Sequence, residues 1–168
     1  MNDQPERTNI ERLGPGARVW VFTSSQELDE ARREAIESSV GGFLEDWESH
    51  GVRLPARCRV LHDRFLVVAA DERTDPSGCS IDKLFRLLQQ IASEAGTSLL
   101  ESHHVFYRGR DGSVRSVTRQ GFRELADRDE VDTSTVVFDT TVDRLGPIVD
   151  GGWEKPAGDS WHRQLLST

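Results

Sequence analysis

FLVVAA, residues 65 to 70, decides the fold prediction because it is a continuous apolar run without alternation. This pattern is typical of a strand that is covered on both faces, so we place the run in the interior of a sheet. RVWVFT (18 to 23) predicts another central strand, since it is rich in β-branched and aromatic residues. ARCRVLH (56 to 62) alternates and predicts an edge strand, joined to the central run by Asp63-Arg64.

Two amphipathic helices are predicted between these strands. Apolar residues recur at spacings of three and four from 26 to 47, after a capping box formed by Ser24 and Glu27. We expect His50-Gly51 to end this helix. The second helix is predicted over 80 to 95.

Gly96 provides a stop for the second helix, and HHVFY (103 to 107) follows as a strand. The order β-α-β-β-α-β predicts an α+β, ferredoxin-like core with an antiparallel sheet and two helices on one face. A C-terminal β/α extension is predicted after it, with strands over 113 to 118 and 135 to 138 and a helix over 120 to 128.

The predicted domain organisation follows from the length of 168 residues, which suits one domain with a proper core. Residues 1 to 16 are polar and are expected to form a flexible arm. Residues 17 to 168 are expected to form a single α+β domain, with the core at 17 to 108 and the extension at 109 to 168 packed on it. Trp153 and Trp161 in the Gly- and Pro-rich tail indicate that the tail is held against this domain.

Charge and composition argue against several classes of partner. The formal net charge of −8 would repel a phosphate backbone, which argues against a nucleic-acid partner. The chain has no apolar run of about 18 residues, as a membrane span would require, and no signal-peptide core. We therefore expect a cytoplasmic protein without a membrane partner, in which Cys58 and Cys79 are separate thiols.

The stretch SGCSID (77 to 82) carries the strongest candidate site. Cys79 precedes Ser80, the expected N-cap of the second helix, where unpaired backbone N–H groups and the helix dipole favour an anion or a thiolate. The predicted site is a catalytic Cys79 with a small anionic or carbonyl ligand bound by residues of the same turn and by the tail, namely Ser77, Gly78, Ser80, Asp82 and Trp161. The alternative is that Cys79 is a small buried residue in a turn and that the two serines act only as caps.

A nucleophilic cysteine needs a base, and His162 in GDSWH (158 to 162) is our candidate. We expect the tail to return to the second helix with Trp161 beside this histidine. His50, at the end of the first helix, could face the same end of the domain.

No cofactor is predicted, and metal ligation and nucleotide hydrolysis lack their motifs. The chain contains no Cys-x-x-Cys and no His-x-x-x-His, so the sequence predicts no metal site. It also contains no Gly-x-x-x-x-Gly-Lys-Ser/Thr stretch to hold the phosphates of a nucleotide.

The pattern VWVF, WESHG (47 to 51), DRF (63 to 65), SGCSID, VVFDTTV and SWH (160 to 162) resembles a family of small bacterial proteins found in Bacteroidota-type genomes. The resemblance covers about residues 18 to 165. Its members often carry the description "ABC transporter ATPase", but the missing phosphate-binding loop argues against that activity here. The resemblance implies a cytoplasmic protein and transfers no catalytic residue.

Two functions remain open from the sequence. In the first, the turn at 77 to 82 binds an unidentified small molecule, and Cys79 reacts with it. In the second, the chain is a non-catalytic binding, regulatory or oligomerisation module, such as a homodimer paired through its sheets, and SGCSID and SWH are structural.

Overall fold

A computed structural model describes residues 8–166, which form an α+β fold with antiparallel sheets. The helices and strands, in chain order, are β1 (Arg18–Thr23), α1 (Glu30–Glu45), β2 (Glu48–Ser49), β3 (Val52–Arg53), β4 (Ala56–Leu61), β5 (Phe65–Ala70), α2 (Gly78–Ala95), β6 (His104–Arg108), β7 (Val114–Thr118), α3 (Arg119–Asp127), β8 (Val136–Phe138), α4 (Gly146–Val149) and β9 (Glu154–Pro156). The chain divides into two compact units. The first contains the described residues up to Glu101 together with Val142–Asp150, and the second contains Ser102–Thr141 and the residues from Gly151 onward.

The first unit is built around β5, as its apolar sequence predicts. Every residue of β5 is buried, and the antiparallel order is β1-β5-β4. β4 is an edge strand and its Cys58 and Val60 face the core, so the predicted alternation is confirmed. Both helices pack on this face, where they bury Ile36, Leu44 and Leu84 among other residues.

The fourth strand of the predicted ferredoxin-like sheet is absent from this order. Residues 104–108, predicted to join the first sheet, pair instead with β7 and β8 in the second unit. Within the described part of the chain, the outer edge of β1 carries only isolated bridges, from Thr23 to Leu100 and from Arg18 to Arg144. The ferredoxin-like core is therefore not confirmed, although its first three strands have the expected order. The prediction of β1 as a central strand is wrong, because residues 104–108 do not pair with it and it lies at the edge of the sheet.

The bounds of the helices show which of the predicted capping residues begin or end a helix. α1 begins later than predicted because Asp29, rather than Ser24, is the N-cap, its side chain accepting a hydrogen bond from the Arg32 amide at 2.8 Å. It also ends earlier, and His50-Gly51 forms the turn of the β2–β3 hairpin with both residues at positive φ. Gly96 adopts the left-handed conformation that ends α2, which confirms that prediction.

The predicted flexible arm is ordered in the part that the structure describes. Residues 1–7 lie outside the described residues, but Ile10–Leu13 form a turn of 3-10 helix and Ile10 is buried. This turn contacts β4 and β5. The described part of this segment is therefore attached to the sheet and is not a flexible arm, because Ile10 is buried in the turn that contacts these two strands.

The second unit contains the four-stranded antiparallel sheet β7-β6-β8-β9. Its apolar side chains include Val105, Phe122 and Val137, which come from β6, α3 and β8. The predicted strand and helix after residue 112 are confirmed within one or two residues. Trp153 is buried against Phe138, with ring centroids 5.2 Å apart, so this part of the tail is packed as expected.

Candidate functional site

SGCSID forms the first turn of α2. Ser77 is the N-cap, and its hydroxyl accepts a hydrogen bond from the Ser80 amide at 3.2 Å. The prediction of Ser80 as the N-cap is therefore wrong. Ser77 takes the role because a side-chain oxygen at the N-cap reaches the amide three residues later. Cys79 consequently lies inside the first turn rather than before it.

Ser80 connects this turn to the β2–β3 hairpin. It is buried, and its hydroxyl donates to the carbonyl of Glu48 at 2.7 Å. Since the carbonyl can only accept, the Ser77 hydroxyl must donate across the 2.8 Å between the two serine oxygens. The serine pair thus forms one ordered chain of hydrogen bonds.

The contact is extended by two further hydrogen bonds. The Trp47 indole nitrogen donates to the Ser80 carbonyl at 2.9 Å, and the Ser77 amide donates to the Ser49 hydroxyl at 3.1 Å. We call Trp47, Glu48, Ser49, Ser77 and Ser80 the serine lock. WESHG and SGCSID, two of the segments that carry the family resemblance, therefore meet at this lock.

The two cysteines have opposite environments. Cys79 is exposed, whereas Cys58 is buried and packed between sheet and helices. The alternative prediction of Cys79 as a buried residue is therefore wrong, because the turn places Ser80 inward. Gly78 and Asp82, the other predicted ligand contacts, are also exposed. The reactivity of Cys79 stays a prediction.

His162 and Trp161 belong to the second unit, whereas Cys79 belongs to the first. His162 is 1% exposed, and its Nδ1 lies 2.8 Å from the Ser160 hydroxyl. Its ring stacks on that of Trp161 with centroids 3.9 Å apart, and the Arg119 guanidinium lies over the Trp161 ring. The proposed pairing of His162 with Cys79 stays a prediction.

The surroundings of His162 keep its ring neutral. The pKa of His162 is lowered to about 4, mainly by burial; the negative charge of Asp139 opposes this shift, and the positive charges of Arg119 and Lys155 add to it. A histidine that is buried and neutral at pH 7 packs as an aromatic side chain. His162 is therefore part of the interior of its unit, and Ser160 and Trp161 beside it are partly buried.

A cleft that the sequence did not reveal lies beside the serine lock. It has a volume of about 540 Å³ and is bounded by the hairpin on one side and by residues 71–75 on the other. Val52, Leu54 and Pro55 provide apolar surface, and Val52 is 67% exposed. The signal for this cleft was His50-Gly51, which is typical of a tight hairpin turn but was interpreted as a helix end.

Charged groups lie at the rim of the cleft. Arg73 donates two side-chain hydrogen bonds to Asp71 and thereby lowers the pKa of that carboxyl to about 2. Arg53 has no ion-pair partner among residues 8–166. The cleft thus combines apolar surface with one guanidinium that forms no ion pair with any described residue, and Asp75 adds an exposed carboxylate to the same lining.

No protein-family model matches the chain, and neither a curated protein nor a solved structure matches it. None of the helices within residues 8–166 combines the length and the apolar character that a membrane span requires. No three His, Cys, Asp or Glu side chains of residues 8–166 are grouped so as to hold a metal ion.

Proposed function

We propose that this chain is a non-catalytic binding module. In this function, SGCSID holds the β2–β3 hairpin through the serine lock, and SWH stabilises the second unit. The observation that carries the proposal is the hydrogen bond from the buried Ser80 hydroxyl to the Glu48 carbonyl, because this bond uses the central serine of SGCSID to hold the hairpin.

The use of polar groups in the first turn of α2 favours binding over catalysis. The Ser80 amide donates to the Ser77 hydroxyl, and the Ser77 amide donates to the Ser49 hydroxyl at 3.1 Å. These are two of the four amides at the helix N-terminus that an oxyanion or phosphate would use, the others being those of Gly78 and Cys79. Since these two amides already have partners, the turn is better suited to support a neighbouring surface than to bind a reacting group.

The surface supported in this way is the cleft beside the hairpin. Its ligand would be a small anion with an apolar body, which matches the exposed Val52 and the unpaired Arg53. Burial of an apolar group against Val52, Leu54 and Pro55 would provide affinity, and the guanidinium would orient the anionic end.

Octanoate is a suitable probe because it has a carboxylate and an apolar chain. We expect saturable NMR shifts at the amides of the cleft, and a binding constant weakened about tenfold by Arg53→Gln or by Val52→Ser, which is a loss of about 1.4 kcal/mol. Arg86→Gln and Val149→Ser are matched controls, since both residues are exposed and lie outside the cleft. The proposal would be refuted if the control variants weakened octanoate binding as much as the cleft variants do.

The exposure of Cys79 favours the second candidate function, a reactive thiol with His162 as base. A dependence of the Cys79 alkylation rate on His162 would support that function and contradict the first. A homodimer is a further form of the binding module, and its test is the molecular mass in solution at several protein concentrations.

A further inference from the structure

The second unit contains a groove of about 690 Å³ whose two walls carry opposite charges. One wall is the β6–β7 turn with its arginines, and the other is the loop between α3 and β8 with its carboxylates. This groove shares no residue with the cleft of the first unit, so it can be considered independently of the function proposed above.

Two of the three arginines on the cationic wall are already neutralised. Arg108 forms an ion pair with Glu154 and donates to the Gly112 carbonyl at 2.8 Å. Arg115 forms an ion pair with Asp111 at 3.4 Å. Arg110 differs from both, because it has no ion-pair partner within 8–166. It therefore provides the positive charge that remains available to a ligand.

Asp132 is the corresponding group on the anionic wall. Its Oδ1 accepts hydrogen bonds from the Ser134 amide and hydroxyl, at 2.8 and 2.6 Å, so the carboxylate is fixed in orientation. Those bonds lower the pKa of Asp132, and the positive charge of Arg110 lowers it further. The two side chains thus influence each other without forming an ion pair, since neither has an ion-pair partner in the described chain.

Asp129 adds a second negative charge to this wall. It lies in the groove lining with a φ of 57°, and no ion pair within the described residues neutralises it. A ligand with one charge would be attracted by one wall of the groove and repelled by the other. A ligand with both charges can face each wall with the complementary group.

We propose that this groove binds a zwitterion of the amino-acid or short-peptide class. The ligand carboxylate pairs with Arg110, and the ligand ammonium lies against Asp132 and Asp129. Arginine suits the first contact because its guanidinium binds carboxylates in a bidentate manner.

The test uses the full chain and four probes, with binding followed by NMR shifts at pH 6.5. Glycylglycine and triglycine carry both charges, N-acetyl-glycylglycine carries only the carboxylate, and glycylglycine amide carries only the ammonium. We expect saturable shifts confined to the groove, and at least about tenfold tighter binding of one zwitterion than of either capped peptide. Equal binding of the capped peptides, or no saturable shift at the groove amides, would overturn the proposal.

Two conservative variants test the assigned contacts. Arg110→Gln removes the unpaired cation, and Asp132→Asn removes the charge but keeps the oxygen that accepts from Ser134. Each variant is expected to weaken binding of the zwitterion by about fivefold or more. Arg123→Gln, at an exposed position outside the groove, should leave this binding unchanged. Unchanged binding in both groove variants would refute the assignment of these residues.

Discussion

The indole nitrogen of Trp47 donates a hydrogen bond to the main-chain carbonyl of Ser80, 2.9 Å away and 33 positions later in the sequence. This bond joins the segment after α1 to the first turn of α2. Trp47 is 2% exposed and packs edge-on against Trp20, so the donor is fixed within the core.

Trp47→Phe should therefore destabilise the protein without removing its aromatic packing. We expect a loss of about 1–2 kcal/mol in the free energy of unfolding, because the buried carbonyl loses a donor. Urea denaturation measures this loss. Trp20→Phe is the matched control, and a loss as large for Trp20 as for Trp47 would show that the hydrogen bond is not the cause.

Ser80→Ala removes the hydroxyl that links Ser77 to Glu48. The expected destabilisation is about 2 kcal/mol, since buried polar partners are left unpaired. Ser93→Ala, at an exposed position of the same helix, should change stability by less than about 0.5 kcal/mol. If Ser80→Ala were as mild as this control in urea titrations, the serine lock would not stabilise the hairpin.

Alkylation should distinguish the two cysteines. Cys79 is exposed and should react in the folded protein, whereas Cys58 is fully buried and should react only when the chain opens, at least about a hundredfold more slowly. Mass spectrometry after treatment with iodoacetamide measures both rates. If the chain is a binding module, His162→Ala should leave the alkylation rate of Cys79 unchanged. A large decrease in that rate would instead favour the function in which Cys79 is a reactive thiol.

Acid should destabilise the protein through His162. Because the folded-state pKa is about 4 and the ordinary value is 6.5, the unfolded chain binds a proton that the folded chain does not bind. The contribution is fully present above pH 6.5 and is lost as the pH falls towards 4, where the loss is about 3 kcal/mol. Urea denaturation at pH 7 and pH 4 measures the change.

His162→Gln should reduce the pH dependence over this interval, although it will also lower stability at pH 7. His103→Gln, at an exposed position, is the control and should leave the pH dependence as it is. Identical pH profiles for the wild type and His162→Gln would show that His162 is not the titrating group.

Features that depend only on neighbouring residues could be predicted from the sequence. The apolar run of β5, the alternation in β4 and the glycine at the end of α2 are local patterns, and each has the predicted structure. These patterns predict which residues of each helix and strand are buried, and the α+β class follows from them.

The pairing of the strands and the contacts of the motif residues depend on the fold of the whole chain and could not be predicted from local patterns. HHVFY is a strand as predicted, but its periodicity does not identify its neighbours, and it pairs with β7 and β8. Ser77 and Ser80 have the same chemical groups, and only the approach of Glu48 and Trp47 places Ser80 inward and leaves Cys79 exposed. The physical reason is that the contacts of Ser80 with Trp47 and Glu48 join residues 33 and 32 positions apart, whose encounter depends on the packing of the whole unit rather than on local preference.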